Sequence, residues 1–233
     1  MSLLTIVQDA MVQAGFDSPS IVMASSDATV TLFKQLAQVE GDSLSRAHDW
    51  RGLKVLASMT GDGTSTEYSL PSDFSRFMTA YPFWQQDTPS VPLIHVTDDE
   101  MQALKVAAAS PSRPVWRLFG DNIEFYPAPT NGYVIKSEYR SGYWIVDGSD
   151  SSRNLRWTND TDTAVIPERL ISLGCIWRYK QAKGFDYAED YRTYRIEMAK
   201  EASAENGRQT ITMRESFPGD YLDYRNGDYR VVV

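Results

Sequence analysis

The sequence of 233 residues contains very few residues that commonly bind metals or form disulfides. It has one cysteine, Cys175, and two histidines, His48 and His95. A single cysteine excludes an intramolecular disulfide, and these three residues match no zinc-ligand spacing. Cys175 lies in the apolar run 171–177, which predicts a buried, unreactive thiol. His48 and Asp49 could form an acid–base pair, or the histidine could simply be favoured by the negative end of a helix dipole.

Long apolar runs are also missing. No stretch approaches the roughly 20 residues that a membrane-spanning helix needs, so we expect no membrane partner. Residues 1–5 lack a basic region followed by an apolar run, so we expect no signal peptide. The sequence therefore predicts a soluble chain made in the cytoplasm.

Recognisable catalytic motifs are absent from the sequence. Gly61-Asp62-Gly63 lacks the third glycine and the helix of a dinucleotide-binding loop, and no Gly-x-Ser-x-Gly motif occurs. The acidic runs 98–100 and 160–162 could in principle bind a hard cation, but neither matches the EF-hand pattern. Helix caps or solvated loops explain both runs better. We therefore expect no enzyme, no cofactor and no metal ion, and a hydrolase is an alternative for which no site is identifiable.

The charge of the chain is strongly one-sided. It has 31 acidic and 23 basic residues, which gives a formal net charge of −8. A negative surface does not attract DNA phosphates, so general nucleic-acid binding is disfavoured. An acidic channel wall through which DNA passes without being gripped is compatible with this charge. The hydrophobic fraction of 42% is that of a folded globular protein.

Two amphipathic helices are predicted at the start of the chain. Apolar residues recur at helical spacing over 3–14 and again from about 25 to 50. Ser2 is positioned to cap the first helix, and Asp27 lies in the first turn of the second. Gly41, in the middle of the second helix, costs about 1 kcal/mol relative to alanine. We therefore expect a kink there, or the close approach of another backbone.

The central part of the chain has the pattern of short strands, and helices return after it. A polar segment then precedes a helix that starts at Pro167 and breaks at Gly184, and a last helix follows from about 187 to 204. The close turns between the last three strands predict a meander. The predicted strands are 53–60, 67–70, 77–84, 92–96, 115–119, 122–126 and 133–139, with a short helix over 101–109.

This order of elements predicts an α+β fold. Residues 1–51 and 163–207 are predicted to form one helical, ring-forming domain from the N- and C-terminal helices. An antiparallel β-sandwich or barrel-like domain, residues 52–147, is inserted between them. Residues 148–162 are predicted to be a loop, and residues 208–233 an extended C-terminal tail.

Four stretches of the sequence resemble the head-to-tail adaptor, or connector, family of short-tailed bacteriophages. The first is a helix, 32–50, that ends in Asp-Trp just before the strands. The second, 67–74, contains Tyr-x-Leu-Pro-x-Asp-Phe. The third runs from Gly-Asp-Asn-Ile-Glu-Phe-Tyr-Pro-Ala-Pro to a tryptophan, over 120–144, and the fourth covers 160–188. The four stretches occur in the family's order and lie on matching predicted elements.

The resemblance implies a structural virion protein rather than an enzyme. Such adaptors form a ring, expected here to be a dodecamer, that docks under the portal protein and presents a platform to tail nozzle or tail tube proteins. The ring closes the packaged head and lines the DNA exit channel. The implied location is the neck or tail of the virion, after assembly in the host cytoplasm.

A closed ring needs two different, complementary faces on each subunit. Tyrosine and arginine are enriched in interface hot spots. The predicted ring-interface residues are therefore Arg178, Tyr187, Tyr191, Arg192, Tyr194 and Arg195. The alternative interpretation is that the tyrosines are half-buried core residues with solvated hydroxyl groups.

The last 25 residues have too few clustered apolar side chains to fold alone. Their aromatic residues could anchor the tail in grooves of a neighbouring subunit or of the portal, and a disordered terminus is the alternative. The predicted anchors are Phe217, Tyr221, Tyr224 and Tyr229.

A second functional hypothesis is a tail or receptor-binding protein that recognises a surface glycan. Aromatic side chains of the strand region would then form a patch on which sugars stack. The candidates for this patch are Tyr81, Trp84, Tyr126 and Trp144.

Overall fold

The computed structural model describes residues 2–79, 82–108 and 110–205. It contains five α-helices and eleven strands in these ranges. The helices are α1 (Leu3–Gln13), α2 (Ala28–Ala47), α3 (Asp98–Val106), α4 (Glu168–Lys183) and α5 (Ala188–Glu205). The strands are β1 (Lys54–Thr60), β2 (Glu67–Ser69), β3 (Phe74–Phe77), β4 (Phe83–Gln85), β5 (Thr88–Pro92), β6 (Val115–Phe119), β7 (Asn122–Tyr126), β8 (Val134–Ser141), β9 (Ile145–Val146), β10 (Arg153–Asn154) and β11 (Thr163–Ala164).

Local sequence signals determine where the helices begin and end. The Ser2 hydroxyl accepts from the Thr5 amide at the start of α1. The Asp27 carboxylate caps α2, one residue outside the first turn in which it was expected. Thr97 forms a reciprocal capping box with Glu100 at α3, so the acidic run 98–100 has a structural role. Gly184 ends α4 in the left-handed conformation, with φ of 73°.

Helices from both ends of the chain share one hydrophobic core. Phe33 of α2 stacks on Tyr179 of α4 at 5.1 Å between ring centroids, and Phe16 meets both rings edge-on. Leu3 and Ile6 of α1 and Leu170 of α4 are fully buried in the same cluster. The predicted union of the terminal helices is thus confirmed.

The strands form three antiparallel sheets. The largest has the order β1-β8-β4-β5, with β3 also paired to β8. A second sheet has the order β2-β7-β6, and a third joins β9 to β10 and β11. Within the described ranges these sheets stay open and no closed barrel forms. The α+β class is confirmed, and its barrel-like variant is not seen.

The predicted meander is wrong at its last step. Strands β6 and β7 form the expected hairpin, but β8 does not pair with β7. It pairs instead with the whole length of β1. The candidate strand 77–84 is also wrong, because β3 ends at Phe77 and β4 begins at Phe83. The first error concerns pairing between distant segments, which local turn residues do not specify. The second concerns where two strands end and begin.

The strand region has cores of its own. Phe83, Trp116 and Phe125 pack edge-to-face, with ring centroids 4.7 to 5.6 Å apart. A smaller cluster, which includes the fully buried Met101, lies between α3 and β6. These clusters are separate from the helical core.

Trp144 connects the end of the strand region to the helices. It is fully buried, and its indole N–H donates to Asp42 of α2 at 2.9 Å. Its ring lies so close to Gly41 that a Cβ on the glycine would be 2.0 Å from Cη2. Close approach therefore explains Gly41, as expected, but the approaching group is a side chain rather than a backbone.

The polar segment 148–162 is mostly loop, as predicted, with a short strand β10 inside it. Asp162 is fully buried and holds this segment together. Its carboxylate accepts from the backbone N–H groups of Gly148, Thr158 and Asn159, at 3.1, 2.7 and 2.9 Å. Buried hydrogen bonds thus order a segment that composition alone marks as loop.

Candidate subunit interface

The α4–α5 hairpin carries all six predicted ring-interface residues. Pro167 precedes α4, Gly184 ends it, and the Asp186 carboxylate accepts from the Ala188 amide where α5 begins. An ion pair between Lys180 and Asp190, at 2.6 Å, then joins the two helices. The local sequence therefore fixes both the turn and the pairing of the hairpin.

Aromatic rings fill the seam between α4 and α5. Trp177 of α4 contacts Tyr187, Tyr191 and Tyr194, with centroids at 6.4, 5.1 and 6.0 Å. Tyr194 is buried, Tyr187 is half-buried and Tyr191 is exposed. The seam thus uses the inner face of α5 for contacts within the chain.

A buried ion pair joins α2 to this hairpin. Glu40 is fully buried, and its carboxylate accepts from Nε of Arg178, whose guanidinium also stacks over Trp177 at 4.5 Å. A Cβ on Gly174 would lie 2.2 Å from Cγ of Glu40, so only glycine leaves room for this carboxylate. Removing one member of a buried pair leaves an uncompensated charge, so the pair holds the hairpin on α2.

Two ionisable groups beside Glu40 stay protonated. Burial, and then the neighbouring Glu40 carboxylate, raise the pKa of the Tyr194 hydroxyl far above its ordinary value. Burial, and then the charge of Glu40, also raise the pKa of the Cys175 thiol well above its ordinary value. A thiol held protonated in this way is a poor nucleophile, which agrees with the inert cysteine expected from the sequence.

The outer face of α5 is largely uncovered. Residues 192, 196, 199 and 203 follow one another at helical spacing on this face, and all four are exposed. Ile196 keeps 47% of its surface exposed. Arg192 lies 3.8 Å from Glu189, and Arg195 donates to the Tyr191 hydroxyl at 3.4 Å. This face therefore presents an apolar residue flanked by two arginines.

A shallow groove of about 190 Å³ runs beside α5. Leu173 and Ile176 of α4 supply its apolar part, Gln13 of α1 lies on one side, and Glu189 and Asp190 give it an acidic rim. The groove is small and lacks any nucleophile–base pair, so it suits contact with a side chain better than chemistry on a substrate.

Comparison with known proteins identifies the family. The model of the SU10 adaptor protein family matches residues 1–221, nearly the whole chain. The protein belongs to the SU10 adaptor family. It is thus a bacteriophage adaptor and a structural component of the virion, in contact with other virion proteins at the head–tail junction. No curated protein matches the chain. The resemblance to phage head-to-tail adaptors is confirmed.

The adaptor's six predicted interface residues divide into two groups. Arg178 and Tyr194 point inward and stabilise the contact with α2 through Glu40. Tyr191, Arg192 and Arg195 are exposed, and Tyr187 lies between the two groups. The predicted tail anchors Phe217, Tyr221, Tyr224 and Tyr229 lie outside the described residues.

The predicted sugar-stacking patch of the glycan hypothesis is wrong. Trp144 is fully buried and meets Trp157 edge-on in the helical core. Tyr126 packs instead beside α3, and Trp84 is half-buried on β4. Tyr81 lies outside the described residues. Trp144 therefore offers no ring face to a sugar.

Buried charges were missed by the sequence reasoning, and two examples are Glu40 and Glu124. Glu40 follows Phe33 and Ala37 at helical spacing and precedes Leu44, so the apolar stripe of α2 already placed it on the buried face. Glu124 alternates with the core residues of β7 and is buried on the opposite face, where it binds Arg117 at 2.7 Å and also Lys105 of α3. No local signal indicated that α3 would cover that face.

The described residues contain neither a membrane-spanning helix nor a group of metal ligands. In residues 2–79, 82–108 and 110–205, no helix has the length and apolar composition to cross a bilayer. Across those same ranges, no three side chains of the types histidine, cysteine, aspartate and glutamate group as metal ligands.

Proposed function

We propose that this adaptor forms a closed homo-oligomeric ring, a dodecamer, between the portal protein and the tail nozzle or tail tube proteins. The ring closes the packaged head and lines the channel through which DNA leaves. In this proposal the protein has a structural role and needs neither catalytic activity nor a cofactor. The ring is assembled in the host cytoplasm. Residues 1–51 and 163–207 build the ring, and the strand region 52–147 projects from it.

The outer face of α5 is the observation that carries this proposal. Among the residues of this helix, which is 18 residues long, only Tyr194 is buried. A helix of a globular protein normally buries a continuous apolar stripe, and most helical stability comes from such packing. A second copy packed on Ile196 would supply the missing burial, with Arg192 and Arg195 at its edge.

A ring also needs a second, different face on each subunit. Val39 of α2 and Leu155 of the polar segment are both about half exposed. They lie near each other, because the Gln38 side chain donates to the carbonyl oxygen of Leu155 at 3.0 Å. This pair supports an apolar contact surface that is distinct from α5.

The portal contact is proposed to lie in the aromatic tail. Tyrosine and phenylalanine bury large areas when a segment docks into grooves of a partner. We therefore assign the portal or neighbouring-subunit contact to Phe217, Tyr221, Tyr224 and Tyr229. Hydrogen exchange of these residues should slow when portal protein is added to the adaptor.

Negative-stain electron microscopy of the purified adaptor, alone and with portal protein, tests the ring. We expect rings in at least the sample with portal. Ile196→Glu should abolish them, because it buries an unpaired charge in the contact, whereas ring formation should survive Ile94→Glu. Ile94 is the matched control, since it is an exposed isoleucine of the strand region.

Two results would contradict the proposal. One is an adaptor that remains monomeric in both samples at the concentrations used. The other is a normal ring from the Ile196→Glu variant, which would remove α5 from the interface. Circular dichroism of both variants checks that each one is folded before it is imaged.

A further inference from the structure

Three cationic side chains form a row across the largest sheet. Arg140 of β8 lies directly opposite Lys54 of β1 and, on the other edge, opposite Arg76 of β3. Directly opposed residues of antiparallel strands point to the same face, so the three side chains lie side by side. Like charges in that arrangement repel one another, and a fold does not place three together without a counter-charge.

The surroundings add a fourth cation, Arg46, and two carboxylates, Asp49 and Glu138. The charges of Arg46, at the end of α2, and of Arg76 lower the pKa of Arg140, and Asp49 opposes them. Asp49 is itself hydrogen-bonded to Arg76. The second carboxylate, Glu138, lies on the same face of β8, two residues from Arg140 and opposite Leu56. We call the four cations the Arg140 cluster, which consists of Arg46, Lys54, Arg76 and Arg140.

The Nε atom of Arg140 is buried without a hydrogen-bond partner in the described part of the chain. Only 3% of the residue is exposed. Burial is the largest influence on Arg140 and lowers its pKa, because a charge without a partner is costly to remove from water. A buried guanidinium normally has a carboxylate or a similar group on its donors.

We propose that the Arg140 cluster is a binding site for an oxyanion, a carboxylate or a phosphate group. The planar guanidinium offers parallel N–H donors that match two oxygens of such a group. Lys54 adds a compact ammonium charge beside it, and Arg46 adds a second guanidinium. An oxyanion would satisfy Arg140 and neutralise the repulsion between the cross-strand cations. The cluster lies where the end of α2 meets the sheet, between the two parts of the adaptor.

Two sources can supply this chemistry. One is free inorganic phosphate. The other is an aspartate or glutamate of a second copy of this chain, which carries eight more acidic than basic residues. The second source rests on the proposed ring, whereas the site itself does not, so the two ideas can fail separately.

Calorimetric titration of the full chain with inorganic phosphate, at constant ionic strength, tests the site. We expect saturable binding that Arg140→Met weakens at least about tenfold, the loss expected when a buried charge contact is removed. Lys54→Ser, an exposed change in the same cluster, should also weaken binding. Lys136→Met is the matched control, because Lys136 lies on the same face of β8 away from the cluster, and it should bind phosphate like the wild type.

Thermal unfolding distinguishes an oxyanion-binding role of Arg140 from a purely structural role. In phosphate-free buffer, at a concentration where the chain is monomeric, Arg140→Met should unfold at the wild-type temperature or above it, because the change removes an unpaired buried charge. Phosphate should raise the unfolding temperature of the wild type and of Lys136→Met, but not that of Arg140→Met. Two results overturn the proposal. One is a loss of stability in Arg140→Met that is the same with and without phosphate. The other is unchanged phosphate binding in both Arg140→Met and Lys54→Ser.

Sedimentation velocity then identifies the source of the oxyanion. If a carboxylate of a second copy occupies the site, phosphate and Arg140→Met should each weaken self-association. If free phosphate is the ligand, self-association is unchanged while calorimetric binding is still lost in Arg140→Met. Either pattern supports the site.

Discussion

Single buried carboxylates organise this adaptor at two places. Glu40 joins α2 to the α4–α5 hairpin, and Asp162 gathers three backbone N–H groups of the polar segment. Both carboxylates are fully buried. Each satisfies donors that would otherwise be buried without a partner, so each stabilises a contact that apolar packing alone would not specify.

Asp162 should make the free energy of unfolding depend on pH in acidic solution. Burial would raise the pKa of its carboxyl group, but the hydrogen bonds from Thr158, Asn159 and Gly148 outweigh that effect and lower the pKa. A carboxyl group whose pKa is lower in the folded state stabilises the fold at pH values above its unfolded-state pKa of about 3.9. That contribution is lost as the pH falls through the folded value.

We therefore expect Asp162→Asn to lower the free energy of unfolding at pH 7 by about 2 kcal/mol, because charge-assisted hydrogen bonds are lost. The deficit relative to wild type should shrink as the pH falls through the lowered pKa of Asp162, because the wild-type carboxyl group then also becomes protonated. Denaturant titrations at several pH values measure both effects. Asp9→Asn, on the exposed side of α1, is the control and should change little. A deficit that is independent of pH would contradict this account.

Helix α2 shows how packing overrides helix propensity within one element. Alanine at Gly41 would favour the helix by about 1 kcal/mol. The Trp144 ring occupies the space of that side chain, however, and the ring is itself held by Asp42. The tertiary contact therefore decides which residue is tolerated at this position.

Gly41→Ala should thus destabilise the protein by about 2 kcal/mol, the usual range for an overpacked core, despite its better helix propensity. Thermal or denaturant unfolding measures the change. The penalty should fall in a Trp144→Leu background, because the clashing ring is gone. Gln35→Ala, at an exposed position of the same helix, reports the propensity effect alone. A stabilised Gly41→Ala variant would show that Trp144 moves aside without cost.

The whole molecule combines a net charge of −8 with the local cationic cluster around Arg140. Affinity for duplex DNA grows with the number of phosphates that a protein neutralises, and the rest of an acidic surface repels the duplex. The proposed DNA channel would benefit from such weak contact. This balance is a property of the complete chain and not of any one element.

We expect binding of the isolated adaptor to duplex DNA at 150 mM salt to be weaker than about 10⁻⁴ M, the weak end of non-specific binding. Fluorescence anisotropy with a labelled duplex measures it. Lys54→Ser and Arg140→Met should not change the result detectably. Micromolar binding that resists added salt would contradict the expectation and would point to a DNA-gripping surface.

The sequence by itself determined the helices, the Ser2 cap and five of the eleven strands, because these depend on neighbours along the chain. The five strands are β1, β2, β6, β7 and β8. The Ser2 cap, Gly184 at the end of α4 and the β6–β7 hairpin are all decided by local backbone preferences. The α+β class and the adaptor family were also readable, since both are carried by the order of such local elements.

Only the tertiary structure decided which distant segments meet. It paired β8 with β1 instead of β7, placed Trp144 against Gly41, buried Glu40 under Arg178, and set Lys54 and Arg76 beside Arg140. These contacts depend on packing and charge between residues far apart in the chain, where no local pattern chooses one partner over another. The physical reason is that strand pairing and buried charge are satisfied globally, whereas caps and turns are satisfied within a few residues.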